Sequence, residues 1–303
     1  MVFKKIKNKL GLLNLIYLDV KQTQSTLAKL QESIGRLELR QLEYLGETEI
    51  NQNEFQVFSQ WGEDGIIQFL LRHIKISRKI FIEFGVENYT ESNTRFLLVN
   101  KNWSGLVIDG NKNHIDYIKS DPIYWRHNLK AVNSFVTKEN INSLLSENGI
   151  QGEIGILSID IDGNDYWVWE SIDVVSPAIV IVEYNFRFGV DKALTIPYQE
   201  YFVRSEGHYS MIYYGASLKS LCFLGKRKGY AFVGCNSAGN NAFFVRYDLK
   251  PGIVKELSVE EGYIEGKFRE SRDQEGNLAF LSLEKEKSIL ASLPLIDVGD
   301  GEA

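Results

Sequence analysis

Five short apolar runs, each separated from the next by a helical stretch, follow one another between residues 79 and 184. The runs are KIFIEF (79–84), GLVID (105–109), KAVNS (130–134), GILSID (155–160) and AIVIVEY (178–184). The helical stretches before and between them are 59–74, 91–100, 112–120, 138–148 and 165–172. Repeated β-α-β units with short loops predict a doubly wound, Rossmann-like α/β fold with a parallel sheet.

The pattern ends with a different motif. A predicted helix over 216–228 leads into YAFVGC (230–235) and NAFFVR (241–246), which the loop NSAGN joins. Two strands around a short loop rich in Gly and Asn predict an antiparallel hairpin. Five parallel strands followed by a terminal hairpin form the outline of a class I methyltransferase sheet, which differs from an all-parallel dinucleotide-binding fold.

Three segments are predicted: a helical extension over 1–50, an α/β domain over 55–247, and a tail over 248–303 that packs on the domain. Apolar residues of the extension recur at spacings of three, four or seven, namely Ile6, Leu10, Leu13, Tyr17, Val20, Leu27, Ile34 and Leu37. Gln24, Gln31 and Gly35 interrupt this stripe. Three interpretations stay open: packing on the chain's own domain, a coiled coil that makes a homo-oligomer, or contact with anionic lipid. The lipid interpretation rests on Lys4, Lys5, Lys7 and Lys9.

Composition argues against several classes of partner and chemistry. A net charge of −6 and a pI of about 5.4 argue against nucleic acid as the main partner. No apolar run approaches the ~20 residues of a transmembrane helix. Cys222 and Cys235 lack CxxC spacing and a neighbouring histidine, which predicts reduced thiols in a cytoplasmic protein. P-loop, GxSxG and HExxH motifs are absent, so kinase and hydrolase functions have no support.

Polar residues end most of the predicted strands, and ligands of open α/β sheets lie beyond these ends. The first turn, EFGVE (83–87), has one glycine, so the GxGxxG dinucleotide fingerprint is absent. Asp109 ends the second strand, where a carboxylate can accept both hydroxyls of a ribose. These features favour S-adenosylmethionine (SAM) over NAD; the alternative is a plain βα turn with a helix-capping Glu or Ser. The residues assigned to cofactor binding are Gln60, Glu83, Gly85, Glu87, Asp109, Gly110, Ser134 and Asp160.

The segment LSIDIDGNDYWVW (157–169) crowds Asp160, Asp162 and Asp165 together after the fourth strand. Buried like charges repel unless a metal, a ligand or a helix start compensates them. The spacing does not fit an EF-hand, whereas Asn164 and Asp165 suit a helix cap and first turn. Two interpretations stay open for the others. Either Asp160 lies beside the sulfonium with Asp162 as general base, or Mg²⁺ or Mn²⁺ is bound by Asp160, Asp162, Glu183 and Asn185.

His208 is a further candidate catalytic base, because it enters a Tyr-rich loop after the fifth strand, where acceptor-binding insertions lie in this fold. The alternative is a surface histidine. The acceptor-binding candidates are Asn185, Tyr213, Tyr214, Arg269 and Arg272. For the two arginines the alternative is a solvated ion-pair cluster with Glu270 and Asp273.

Seven segments together resemble a bacterial family of methyltransferase-like proteins. They are FSQWGEDGIIQFLL, FIEFGVENYTESNTRFLL, WSGLVIDGN, LSIDIDGNDYWVW, VIVEYN, YYGASLKSL and KGYAFVGCNSAGNNAFFVR. The family is related to FkbM-type sugar O-methyltransferases and is often associated with surface-polysaccharide gene clusters. The resemblance covers about residues 55–247 and includes KFRESRD in the tail. The chain departs from the FkbM type at Asn88, Tyr89 and Thr90, which replace the usual glycine-bearing turn.

The resemblance implies a SAM-dependent O-methyltransferase that acts on a saccharide or a nucleotide-linked sugar in surface-polysaccharide biosynthesis. Two alternatives use the same residues differently. One is a non-catalytic, methyltransferase-like scaffold of a glycan-assembly complex. The other is a metal-dependent sugar-modifying enzyme without SAM.

Overall fold

The computed structural model describes residues 2–299, without the side chains of residues 2–8 and Leu10. The chain forms two compact units, Met1–Gly46 and Glu47–Ala303. The first contains one long helix, α1 (Val2–Leu45). Within the predicted lysine cluster Lys9 is exposed, whereas the side chains of Lys4, Lys5 and Lys7 lie outside the described residues, as do those of Ile6 and Leu10. Among the residues that the structure describes, no helix has the length and apolarity that crossing a membrane requires.

Nine strands are present in the described part of the second unit. They are β1 (Ile80–Phe84), β2 (Ser104–Asp109), β3 (Leu129–Asn133), β4 (Gly152–Ile159), β5 (Val175–Glu183), β6 (Leu194–Thr195), β7 (Tyr230–Cys235), β8 (Asn241–Arg246) and β9 (Ile296–Asp297). Seven of them form one sheet in the order β3-β2-β1-β4-β5-β8-β7. β1 to β5 pair in parallel, and β8 pairs antiparallel with both β5 and β7. β6 and β9 form a separate antiparallel pair.

The helices connect these strands. They are α2 (Glu63–His73), α3 (Arg95–Lys101), α4 (Lys112–Ser120), α5 (Pro122–Arg126), α6 (Ile141–Glu147), α7 (Asp165–Ser171), α8 (Arg204–Gly207), α9 (Leu218–Arg227), α10 (Val259–Gly262) and α11 (Leu283–Ala291). Short 3₁₀ helices cover Ile50–Asn53, Phe186–Phe188 and Tyr247–Leu249. The predicted tail therefore contains two helices and a strand.

Two apolar layers cover the sheet, because successive residues of a strand point to opposite faces. Ile82 and Phe84 of β1 pack in a cluster with residues of α6, α7 and α9. Phe81 packs in a second cluster with residues of α2, α3, α4 and α5. The predicted doubly wound sheet with a terminal antiparallel hairpin is thus confirmed, and its strand order is that of the class I methyltransferase fold.

The strand order reverses direction between β1 and β4, which is where ligands of doubly wound sheets bind. Gly85 follows β1 at φ +70°, and a Cβ atom there would lie 1.6 Å from the carbonyl oxygen of Asp160. The backbones of the two loops thus touch at the switch point, which only glycine permits.

The tail is fastened to the end of the sheet by a buried ion pair. Arg187, in the 3₁₀ helix after β5, is fully buried, and its Nε donates to Glu286 Oε2 of α11 at 2.7 Å. Its Nη1 lies 3.1 Å from Glu270 Oε1. Buried ions are tolerated only when paired in this way.

We expect Glu286→Ala to lower the free energy of unfolding by about 3 kcal/mol, because it leaves the buried Arg187 charge with one carboxylate partner. Urea denaturation of the purified chain measures this change. Glu284→Ala, at an exposed position of the same helix, is the matched control and should change it by less than ~0.5 kcal/mol. Equal losses in both variants would show that the loss of an acidic residue from the first turn of α11, not the loss of the ion pair, is responsible.

Candidate active site

A cavity of about 1070 Å³ opens at the carboxyl ends of β1, β2, β4 and β5. Its strand-end wall includes Glu83, Gly85, Asp109, Asp160 and Glu183. Other residues complete it, among them Arg204 at the start of α8, Asn241 at the start of β8, and the loop residues Gln60, Trp61, Glu87, Gly110, Ser134, Asp162, Asn240, Phe268 and Glu270. Every residue assigned to cofactor binding from the sequence therefore lines this one cavity.

Glu83 is buried in the cavity wall, where its carboxylate organises the start of α3. It accepts hydrogen bonds from Ser92 Oγ at 2.6 Å, from the Asn93 amide at 2.9 Å, and from the amide and hydroxyl of Thr94. Burial raises its pKa, and these donors oppose that rise. Glu83 was predicted to bind cofactor, but these contacts match the helix-capping alternative and make it a positioning residue.

Asp109 joins the first two turns of the sheet. Its Oδ2 accepts from the Glu87 amide at 2.8 Å, and its Oδ1 accepts from the Asn111 amide at 2.7 Å. His114 Nδ1 lies 3.2 Å from Oδ1. Two backbone amides thus hold the carboxylate in place at the cavity wall, at the end of β2.

Asp165, one of the three crowded aspartates, has a structural role in its loop. Its buried carboxylate accepts from the amides of Ile161 at 2.8 Å and Gly163 at 2.9 Å. Burial raises the pKa of Asp165 to about 6 against these two bonds. Between the two amides, Asp162 adopts φ +56°, a left-handed conformation that is uncommon for a non-glycine residue. Asp165 therefore shapes the loop that presents Asp160 and Asp162.

Asp160, Asp162 and Glu183 form a cluster of carboxylates. Each offers a carboxylate oxygen, and these oxygens all lie within 4.8 Å of one another. Burial and then the charge of Asp162 raise the pKa of Asp160 well above its usual range, and burial and then the charge of Asp160 do the same for Glu183. Glu183 Oε2 is buried and accepts no hydrogen bond from any residue that the structure describes. An acidic group left in this state requires a proton or a cation from outside the chain.

Arg204 compensates only part of this charge. Its Nη1 donates to Asp162 Oδ1 at 2.6 Å, its Nη2 lies 2.7 Å from Glu270 Oε1, and its guanidinium lies 3.8 Å from the ring centroid of Tyr214. Within the described residues, Asp160 and Glu183 have no ion pair of their own. The cavity floor is therefore anionic.

Glu63 connects the SQWGED segment to this floor. Its Oε2 accepts from the amides of Trp61 and Gly62, and its Oε1 accepts from the side-chain amides of Asn236 at 2.6 Å and Asn241 at 2.8 Å. Because a carboxylate can only accept, the atom of the Asn241 side chain that faces Glu63 is the NH₂ nitrogen. Asn241 Oδ1 remains as a buried acceptor, and no residue in the described part of the chain donates a hydrogen bond to it.

Asn241 stands directly opposite Glu183 in the β5–β8 ladder, so two buried, unpartnered oxygens belong to neighbouring residues of one cavity. Residue-by-residue reasoning missed Asn241 and Glu63. The signal in the sequence was the pair of polar runs, GED and NSAGNN, that flank apolar elements.

The structure corrects two site predictions. Asn185 does not line the cavity: its side-chain NH₂ donates to the carbonyls of Ile212 and Tyr214, and its Oδ1 accepts from the Arg187 amide. His208 also lies outside the cavity lining, with Nδ1 2.6 Å from Ser210 Oγ. Burial lowers the pKa of His208. Arg204, not His208, brings this loop to the site.

The acceptor-binding candidates of the sequence also lie outside the lining. Tyr213 donates to the carbonyl of Pro294, and Tyr214 lies beneath Arg204. Arg269 and Arg272 donate to backbone carbonyls of their own tail segment. Phe268 and Glu270 of that segment line the cavity instead, and the Phe268 ring stacks on Trp61 with centroids 6.3 Å apart and planes at 19°.

No protein-family model and no curated protein matches the chain. Solved structures with a similar course of the chain include the N-terminal domain of EvdMO1 with SAH bound, at 10% identity and a TM-score of 0.41, covering 69% of this chain and 94% of that one. A SAM-dependent methyltransferase from Clostridium acetobutylicum has 8% identity and a TM-score of 0.39, and the match covers 61% of this chain and 90% of that one. A structure from Staphylococcus aureus, named as a putative caffeoyl-CoA O-methyltransferase, has 14% identity and a TM-score of 0.38, and the match covers 69% of this chain and 91% of that one. The fold assignment rests on strand order and register, not on these superpositions.

We expect Glu183→Gln to raise the melting temperature in EDTA at pH 8.5 by at least ~2 °C, with the gain shrinking toward pH 5. The pKa of Glu183 is raised in the folded chain, so its contribution to stability is present at low pH and is lost as pH rises. Glutamine reproduces the protonated shape at every pH. Thermal unfolding across this pH range measures the effect, with the exposed Glu147→Gln as control. A pH-independent difference between Glu183→Gln and the wild type would contradict the shift.

Proposed function

We propose that this chain is a SAM-dependent O-methyltransferase that acts on a hydroxyl of a saccharide or a nucleotide-linked sugar in surface-polysaccharide biosynthesis. The observation that carries the proposal is the convergence of Asp109 and the Asp160–Asp162–Glu183 cluster in one cavity at the switch point. Its volume, about 1070 Å³, is enough for a cofactor and an acceptor side by side.

The cofactor half fits the first two turns. Asp109 is held by two backbone amides at the end of β2, where its remaining lone pairs can accept the two hydroxyls of a ribose. Gly85 allows the loop after β1 to lie directly against the Asp160 backbone, which brings the first turn and the carboxylate cluster together at the switch point. SAM supplies an electrophilic methyl group on a cationic sulfonium, and the anionic floor at Asp160 complements that charge.

The acceptor half requires removal of a hydroxyl proton. Asp160 and Glu183 both have raised pKa values, so each holds and releases a proton closer to neutral pH than an exposed carboxylate does. Arg204 orients Asp162 beside them through the 2.6 Å contact between its Nη1 and Asp162 Oδ1. The three carboxylates therefore position the hydroxyl and accept its proton, which are the main demands of methyl transfer.

The same cluster fits Mg²⁺ or Mn²⁺. These ions prefer oxygen ligands, and the cluster has three carboxylates within 4.8 Å together with the unpartnered Glu183 Oε2. Asn241 Oδ1 replaces the predicted Asn185 as the neutral oxygen of the set, because Glu63 fixes its amide. A bound divalent cation would lower the pKa of the acceptor hydroxyl.

The aromatic part of the cavity lining suits a sugar ring. Trp61 is 46% exposed, and it presents an aromatic surface that Phe268 supports from one side. Aromatic side chains bind the apolar C–H face of a ring, while polar groups nearby receive its hydroxyls. Both features meet in this cavity.

We expect the chain to bind S-adenosylhomocysteine with micromolar affinity, and Asp109→Asn to weaken binding about tenfold or more, because charge-assisted hydrogen bonds to the ribose are lost. Isothermal titration calorimetry measures both. Asp116→Asn, an exposed carboxylate of α4 outside the cavity lining, is the matched control and should leave affinity unchanged. Absence of binding by the wild type would overturn the methyltransferase proposal and favour the scaffold or the SAM-independent enzyme.

We expect one Mn²⁺ to bind in the absence of SAM, and Glu183→Gln and Asn241→Ala each to weaken it about tenfold or more. Electron paramagnetic resonance of free Mn²⁺ during titration measures this directly. Glu87→Gln, which removes a carboxylate from the same cavity outside the cluster, is the control. Equal weakening by all three variants would show a diffuse attraction of cations and no defined site.

A further inference from the structure

Helix α1 carries a more regular apolar seam than the stripe of the sequence pattern. With Leu13 as position a of a heptad, the a positions are Leu13, Val20, Leu27, Ile34 and Gln41. The d positions are Ile16, Thr23, Leu30, Leu37 and Tyr44. In this frame Gln24 and Gln31, which interrupted the earlier stripe, stand beside the seam at position e.

The seam residues of α1 are exposed. Its seven aliphatic members are between 49% and 62% exposed, and Tyr44 is 90% exposed. The seam runs over more than four heptads, about 48 Å of helix at 1.5 Å per residue. A sustained repeat of this length indicates a coiled coil, because helices draw most of their stability from packing of the apolar face.

We propose that α1 pairs with α1 of a second copy of this chain in a parallel, two-stranded coiled coil. In a parallel, in-register pair every seam residue meets its own counterpart. Thr23 then faces Thr23 and Gln41 faces Gln41, so the two polar layers satisfy each other. A buried polar layer of this kind fixes register and strand number.

An antiparallel pair that uses the whole seam matches less well. It places Ile16 opposite Gln41 and Thr23 opposite Ile34, so each polar residue meets an aliphatic one and loses its hydrogen-bond partner. The charges beside the seam permit the parallel arrangement. There, position g of one helix meets position e of the next heptad in the other, which pairs Asp19 with Gln24 and Ser33 with Glu38, and no like charges meet.

Light scattering coupled to size exclusion tests the proposal on the full chain. We expect a mass about twice the 34.7 kDa of one chain. The double substitution Leu27→Glu and Leu30→Glu should halve it. Leu15→Glu with Leu18→Glu is the matched control, because it places the same charges at equally exposed leucines outside the seam and should keep the doubled mass.

Thermal unfolding and S-adenosylhomocysteine binding of each variant show whether the α/β domain is intact, and they separate this proposal from the proposed function. A single-chain mass for the wild type overturns the proposal. The proposal is also overturned if the Leu27→Glu, Leu30→Glu variant and the Leu15→Glu, Leu18→Glu control have the same mass. A single-chain wild type that sediments with vesicles of anionic phospholipid overturns it in favour of lipid contact.

Orientation has its own test. Thr23→Cys should form a disulfide-linked dimer under mild oxidation, because a parallel seam brings the two copies of position 23 together. Ser25→Cys, an exposed position outside the seam, should not, and it controls for the native thiols. Cross-linking only in a mixture of Thr23→Cys and Ile34→Cys chains overturns the parallel arrangement.

Discussion

Buried carboxylates accept hydrogen bonds from backbone amides and so fix the course of the loops around the cavity. The site depends on these bonds. Asp64 accepts the amides of residues 57–59 at 2.7 to 2.8 Å, although burial raises its pKa to about 6. Glu63, Glu83 and Asp165 do the same for three other loops. Each bond to a charged acceptor is stronger than a neutral one, which offsets the loss of hydration. Loops that carry no regular ladder thereby gain a fixed course.

This criterion separates the acidic residues by role. A carboxylate that accepts several amide hydrogens has its charge compensated within the fold, as Asp165 does with Ile161 and Gly163. Among the described residues none donates an amide hydrogen to the carboxylate of Asp160 or Glu183, and burial raises the pKa of both well above its usual range. The three aspartates of the IDIDGND segment therefore divide into one that builds the loop and two that the loop presents. The crowding of three aspartates, which looked costly in the sequence, is tolerated because the charge of Asp165 is compensated by hydrogen bonds within the loop.

The sequence predicted the sheet well because its signals are local. YAFVGC and NAFFVR coincide with β7 and β8 residue for residue, and the five parallel strands lie within a few residues of the predicted runs. The site required longer-range knowledge. Strand ends were read correctly up to Glu183, but the backbone leaves the strand there, and Asn185 turns to cap the 3₁₀ helix Phe186–Phe188.

Asn241 shows the opposite case, because it belongs to the site although no local pattern in the sequence predicts this. Its place beside Glu183 follows from the insertion of β8 between β5 and β7, an order that no local pattern encodes. His208 was selected by loop composition, yet α8 ends at Gly207, and Arg204 at its start faces the cluster.

The tail shows how side-chain parity decides which residues reach a site. From Glu265 to Glu270 exposed and half-buried residues alternate strictly, as in an extended segment with one covered face. Phe268 and Glu270 share the inward face, so the arginine at 269, chosen for its charge, points away. Glu270 Oε1 then lies 3.1 Å from Arg187 Nη1 and 2.7 Å from Arg204 Nη2. One carboxylate between two guanidiniums neutralises the repulsion that would otherwise drive Arg204 from Asp162. The tail is thus part of the electrostatics of the site, and removing it would alter the charge that the cavity presents.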